Sequence, residues 1–111
     1  MDPSSDAPPF ALDRYELVLL KRPTKPSNVS DEEIDRLQEL HLAHLQALTR
    51  TGDIRVCGPF DAQSDESLRG MALYQTGSIE RARELATSDP AVVAGRLEVD
   101  IMYFYCPQGD L

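Results

Sequence analysis

Apolar and polar positions change their period several times along this chain, and each change marks an element. Residues 15–21 (Tyr-Glu-Leu-Val-Leu-Leu-Lys) are rich in β-formers and apolar on both faces, the pattern of a strand inside a sheet. Pro23 and Pro26 end that run and open a loop. From Ser30 the period lengthens to that of a helix. Ser30 and Glu33 form a capping-box pattern, in which each side chain satisfies a backbone N–H at the exposed helix start. Asp31 and Glu32 suit the positive end of the helix dipole. The helix is predicted to run to about Thr51, with Gly52 as its left-handed stop.

A second strand is predicted over residues 54–60, ending at Gly58-Pro59, and a polar stretch at 61–67 reads as a hairpin loop before a third strand over 68–75. Gly77-Ser78 turns the chain into a second helix at 79–87, with Ile79, Ala82, Leu85 and Ala86 as its apolar stripe. Asp89-Pro90 opens a short helical turn, since Asp is a good N-cap and Pro is favoured at the next position, and Gly95 closes it. In the last strand, 97–106, Leu97, Val99, Ile101, Tyr103 and Tyr105 alternate with Glu98 and Asp100.

The order strand, helix, strand, strand, helix, strand is that of an α+β, ferredoxin-like βαββαβ sandwich: a four-stranded antiparallel sheet with two helices on one face. The predicted domain spans residues 14–106, between a Pro-, Ser- and Asp-rich tail at 1–13 and a short tail at 107–111. No further element is left to cover the second face of the sheet, although the first and last strands carry apolar residues on both faces. A second copy of the chain is the simplest cover, which predicts a homodimer, with further association left open.

With 111 residues, 41% hydrophobic and 27% charged, the chain fits one globular domain. Its formal net charge of -8 argues against nucleic acid and against an anionic membrane surface as partners, because both require clustered Lys and Arg. No apolar run approaches the roughly 20 residues of a membrane span. The N-terminus lacks the basic start and apolar middle of a signal peptide, so the cytoplasm is the expected location. Cys57 and Cys106 are expected to remain thiols.

The first helix holds both histidines, His41 and His44. With Leu37 at zero on a helical wheel, Ile34, His41, His44, Leu45 and Leu48 fall within about 80° of it, so both imidazoles share the apolar face. A histidine there is a hydrogen-bonded core residue, a general acid or base, or one of a metal-binding pair one turn apart. No local Cys or third His completes a metal site, and none is expected. Asp89 reads either as a helix cap or as a carboxylate that orients a histidine. Arg69 and Arg55 are candidates for an anionic substrate group, or for ordinary ion pairs. Gly58-Pro59 is either a bend or a place where a ligand approaches the backbone closely. Neither a G-x-G-x-x-G nor a Walker pattern occurs, and Cys57 carries no nucleophile signature and reads as packing.

Taken together, several of these segments resemble one family. His41-Leu42-Ala43-His44-Leu45-Gln46-Ala47-Leu48, then Gly52, then Cys57-Gly58-Pro59-Phe60, resembles the H-L-x-x-L-x-x-L…G…x-G-P signature of YCII-related proteins. Arg69-Gly70-Met71 resembles their third strand, and Ser88-Asp89-Pro90-Ala91-Val92-Val93-Ala94-Gly95 their D-P-x-x-x-A-G segment. The resemblance covers about residues 14–106 and implies ferredoxin-like subunits whose sheets pair into a dimeric α+β barrel. The family is similar to muconolactone isomerases and to dehydrochlorinases of chlorinated hydroquinones. In such relatives a histidine and an aspartate are the proposed catalytic pair, and these fall on His41 and Asp89. His44 occupies a position that is often not histidine. The N-terminal extension and the loop at 22–29 depart from the compact family pattern.

The expectation is therefore an enzyme that needs no cofactor. His41 would act as general base or acid, oriented by Asp89, with Arg69, Gly58, Pro59 and His44 around a small-molecule substrate. Proton abstraction beside a carbonyl would lead to isomerisation, cyclisation or elimination. The alternative is a non-catalytic dimeric module that binds a small molecule in the same pocket.

Overall fold

The computed structural model describes residues 11–111; residues 1–10, most of the expected N-terminal tail, lie outside the described residues. The elements follow in the order β1 (Leu12–Lys21), α1 (Asp31–Thr51), β2 (Ile54–Pro59), β3 (Leu68–Tyr74), α2 (Ile79–Thr87), α3 (Pro90–Val93) and β4 (Glu98–Pro107). The strands form one antiparallel sheet in the order β2-β3-β1-β4. This is the ferredoxin-like arrangement expected from the element order.

Local chemistry sets the helix ends. The Ser30 side chain accepts the Glu33 amide at 3.1 Å, and Gly52 closes α1 at φ 85. Only half of the predicted capping box forms. Glu33 Oε1 accepts from Arg36 Nε at 2.8 Å, because a guanidinium one turn on offers a charge-assisted bond that the neutral Ser30 amide cannot match. The Ser78 side chain caps α2 through the Arg81 amide at 3.1 Å.

Strand register decides which side chains meet the helices. Val18 lies between Ala72 and Ile101, and Leu20 between Gly70 and Val99. With Ile54, Tyr74, Ala82 and Ala86 they form the core under the helices. Small residues on α2 let that helix sit close to the sheet. The alternate positions Leu17, Leu19, Met71, Leu73, Met102 and Phe104 project from the opposite face by the two-residue period of a strand. Phe104 and Met102 are 41% and 37% exposed there.

The pairing of β1 with β4 runs past residues 14 and 106. Leu12 pairs with Pro107 and Asp13 with Cys106, while the Gln108 amide donates to the Ala11 carbonyl at 2.9 Å. Gly109 N donates to Asp13 Oδ2 at 3.1 Å. The side-chain pattern does not mark this extension because the backbone of the partner strand, not apolar burial, holds it. Glu16 was also not foreseen as a buried residue. It is 1% exposed, and its Oε1 accepts the Thr76 amide at 2.9 Å and the Thr76 hydroxyl, which satisfies the carboxylate inside the sheet. Cys57 and Cys106 are free thiols, and no helix among the described residues is long and apolar enough to cross a membrane.

Candidate functional site

Asp89 holds the N-cap of α3, with φ -58 and ψ 126, and its Oδ1 accepts the Ala91 amide at 2.9 Å. Its second oxygen does different work: Oδ2 lies 2.5 Å from His41 Nδ1 on α1. The two readings of Asp89 open in the sequence thus describe one carboxylate, with one oxygen capping a helix and the other meeting a ring. Both partners are buried, the His41 side chain 11% exposed and the Asp89 side chain 2%. An ionised carboxylate only accepts hydrogen bonds, so Nδ1 is the donor in this pair. Nε2 is left as the ring nitrogen available to a ligand.

His41 forms part of the wall of a cavity of about 730 Å³ between α1 and the β2–β3 edge of the sheet. Leu42, Leu45, Cys57 and Met71 supply much of its apolar lining, and Gln38, Gln46 and Arg69 supply polar groups. A mostly apolar cleft of this size with a few convergent polar groups suits a small organic molecule. The glycines on its floor differ in kind. A Cβ on Gly70 would stand 2.7 Å from the Gly58 carbonyl oxygen and 3.2 Å from Pro59 Cα, so glycine there permits the close approach of β2 and β3. A Cβ on Gly58 would meet nothing within 4 Å, which leaves open space beside a backbone that lines the cavity.

Of the candidate residues, His41, Gly58, Pro59 and Arg69 all line this cavity. Arg69 is exposed, and the one hydrogen bond its side chain makes to a described residue is a long one, Nη1 to the Glu66 carbonyl at 3.4 Å. His44, considered as a substrate-binding group, does not line it. Its Nε2 lies 3.0 Å from the Leu85 carbonyl and ties α1 to the end of α2. The reason is angular: on the wheel His44 leans toward α2, away from the side of α1 that borders the cavity. Arg55 does not line this cavity. Behind the pair, Tyr74 is 2% exposed. Burial pushes its phenol well above the ordinary range, and the negative charge of Asp89 adds to the effect. The phenol therefore stays neutral. Among the described residues, no group of three or more His, Cys, Asp or Glu is placed to hold a metal ion.

Sequence reasoning missed Gln38, Leu42 and Gln46, which line the cavity with a helical spacing of four on the flank of the apolar stripe. That spacing was visible, but nothing in it distinguished a cavity wall from a solvated flank. Cys57, read as packing, also borders the cavity.

No curated protein matches the sequence. Among solved structures, the chain is similar to the 5-chloro-2-hydroxyhydroquinone dehydrochlorinase of Burkholderia phenoliruptrix AC1100 in complex with 2,5-dihydroxybenzoquinone. The TM-score is 0.53 and the identity 20%, over 87% of this chain and 96% of that one. At that identity the likeness is one of fold. The sequence itself matches the YCII-related domain over residues 16–104. That span runs from within β1 to within β4 and carries both His41 and Asp89, and on this match the chain belongs to the YCII-related domain family.

Proposed function

We propose that the protein is an enzyme that moves protons on a small oxygenated molecule, with His41 as general base and acid and Asp89 as its orienting partner. The observation that carries this reading is the 2.5 Å contact between His41 Nδ1 and Asp89 Oδ2 at the wall of the cavity. With Nδ1–H held by the carboxylate, Nε2 presents its lone pair to the ligand. When it takes a proton, the resulting imidazolium lies against a buried negative charge. Proton abstraction beside a carbonyl leaves an enolate. Arg69, on the same wall, would hold that oxyanion, and the exposed backbone at Gly58-Pro59 lets a flat ligand approach closely. Isomerisation, cyclisation or elimination then depends on where the electron pair goes. The fold neighbour was solved with 2,5-dihydroxybenzoquinone, a compound with carbonyl and ionisable hydroxyl groups of the kind this chemistry needs.

The test is exchange of the ring C–H of 2,5-dihydroxybenzoquinone with D2O, followed by NMR: a deuteron adds to the enol carbon beside the carbonyl, and the original proton is then abstracted from the resulting sp3 carbon to restore the enolate. The chain should accelerate exchange, and His41→Asn should remove about 10²- to 10⁴-fold of that acceleration. Equal rates for His41→Asn and the parent chain would sink the proposal. Tight binding with no acceleration would favour the alternative of a non-catalytic binding module, which the apolar lining of Leu20, Leu42, Leu45 and Met71 also suits.

The working unit in this reading is a homodimer in which two sheets meet through their uncovered faces. The exposed Phe104 and Met102 support it. Phe104→Asp should convert the dimer to monomer in sedimentation, whereas a monomeric parent chain would refute it.

A further inference from the structure

A second, smaller cavity of about 270 Å³ adjoins the first and shares Gln38, Arg69 and Leu97 with it. Its character is different, because Arg22, Arg69 and Arg96 converge on it. These arginines come from distant parts of the chain. Arg22 follows β1, Arg69 stands near the start of β3 and Arg96 precedes β4, all at one end of the sheet, where Lys21 pairs with both Leu68 and Glu98. Among the described residues none of the three forms an ion pair with a carboxylate; the ion pairs present use Arg36, Arg81 and His41. In a chain with 19 acidic residues and a net charge of -8, three unpaired guanidinium groups around one cavity call for an anion, since like charges gathered without a counter-charge repel.

The setting orders one of these groups, Arg96, relative to the His41–Asp89 pair. Arg96 Nη1 donates to the Ser27 carbonyl at 2.6 Å, which fixes the guanidinium plane and leaves its other N–H groups available. The Arg96 and Leu97 amides both donate to the Ala91 carbonyl, at 2.9 and 3.1 Å, and Ala91 N is the group capped by Asp89. The turn that aims Asp89 at His41 therefore also anchors Arg96. On α1, Gln38 stands one turn before His41, about 4.5 Å along the axis, and borders both cavities.

We propose that the Arg22, Arg69 and Arg96 cavity is a subsite for a carboxylate carried by the substrate, so that the enzyme acts on a small oxygenated carboxylic acid. This rests on the proton-transfer reading of the larger cavity. The carboxylate would take paired N–H groups from the arginines, a geometry that guanidinium matches and that a neutral group cannot exploit. The rest of the molecule would extend past Gln38 toward His41 Nε2.

The experiment compares benzoate with its neutral isostere benzamide, and with inorganic phosphate, at constant ionic strength. Each is titrated to about 20 mM into the full chain with the arginine Nε–H signals observed by NMR. Benzoate should shift the Arg22, Arg69 and Arg96 signals and bind about tenfold or more tightly than benzamide. Arg22→Met and Arg69→Met should abolish that preference, and Arg96→Lys, which keeps the charge but not the planar fork, should weaken it. Benzoate and benzamide binding alike, or benzoate leaving the arginine signals unmoved, would overturn the subsite. Phosphate displacing benzoate with higher affinity would overturn it too, in favour of a free-phosphate site. His41→Asn separates the two readings: it should retain the preference for benzoate even if His41 proves to carry no catalysis.

Discussion

Dividing the Asp89 carboxylate between two tasks makes its substitutions separable. In Asp89→Asn the carbonyl oxygen still accepts the Ala91 amide, so the cap survives. The amide nitrogen then occupies the place of Oδ2 and donates to His41 Nδ1. The ring must respond by moving its proton to Nε2, which removes the lone pair facing the cavity. Stability should change little, by about 1 kcal/mol or less, because a hydrogen bond is exchanged rather than lost. Proton exchange should fall on the order of 10³- to 10⁴-fold, the scale set by a wrong tautomer in an aspartate-oriented histidine base. Asp89→Ala does both kinds of damage. It costs about 1 kcal/mol for the lost cap and about 1–3 kcal/mol for a buried ring nitrogen without a partner. The sum of about 2–4 kcal/mol corresponds to a fall in melting temperature of roughly 10–30 °C for a domain of this size. The assays are thermal melts by circular dichroism and the 15N shifts of the His41 ring, which report the tautomer directly. If Asp89→Asn keeps the Nδ1–H tautomer, or if Asp89→Ala melts with the parent chain, the division of labour between the two oxygens is wrong.

Alkaline stability should depend on Tyr74. Its folded pKa is raised, first by burial and then by Asp89, so its contribution is fully present below the unfolded value of about 10 and is lost as pH rises through the folded value. Urea midpoints should therefore fall more slowly above about pH 10 in Tyr74→Phe; an unchanged slope would refute the assignment. Gly70→Ala forces a Cβ against the backbone of Gly58 and Pro59 and should destabilise by about 1–3 kcal/mol, whereas Gly58→Ala enters open space and should leave the melt nearly unchanged while weakening ligand binding. Equal melts for the two variants would show that β2 and β3 can separate at no cost. His44→Leu should cost about 1 kcal/mol in denaturant unfolding, through the lost bond to the Leu85 carbonyl, and leave proton exchange at the parent rate. A large loss of exchange would return His44 to the site.

Much of this molecule follows from neighbours in sequence. Ser30 at the start of α1, Gly52 at its end, Ser78 before α2 and Asp89-Pro90 at α3 are local devices, in which a side chain or a left-handed residue satisfies backbone groups a few positions away. They act with hydrophobic period, and together they determine the elements, their order and the sandwich those elements can form. Even so, Glu33 chose Arg36 over the Ser30 amide, because a stronger donor stood within the same reach.

What the sequence alone did not decide is which distant groups meet. His41 and Asp89 are 48 positions apart, and the chain marks one as a residue on an apolar helix face and the other as a cap. Their contact exists because α3 packs beside α1. Arg22 and Arg96 are 74 positions apart and carry no sequence pattern that links them; the register of β1 with β3 and β4 brings them to one cavity. Glu16 lies in an apolar strand, and its partner Thr76 is 60 positions away. Capping and periodicity are local and act through the nearest turns of backbone. Proximity between distant side chains is created by sheet register and helix packing, so the tertiary structure alone decided which of these groups share a site.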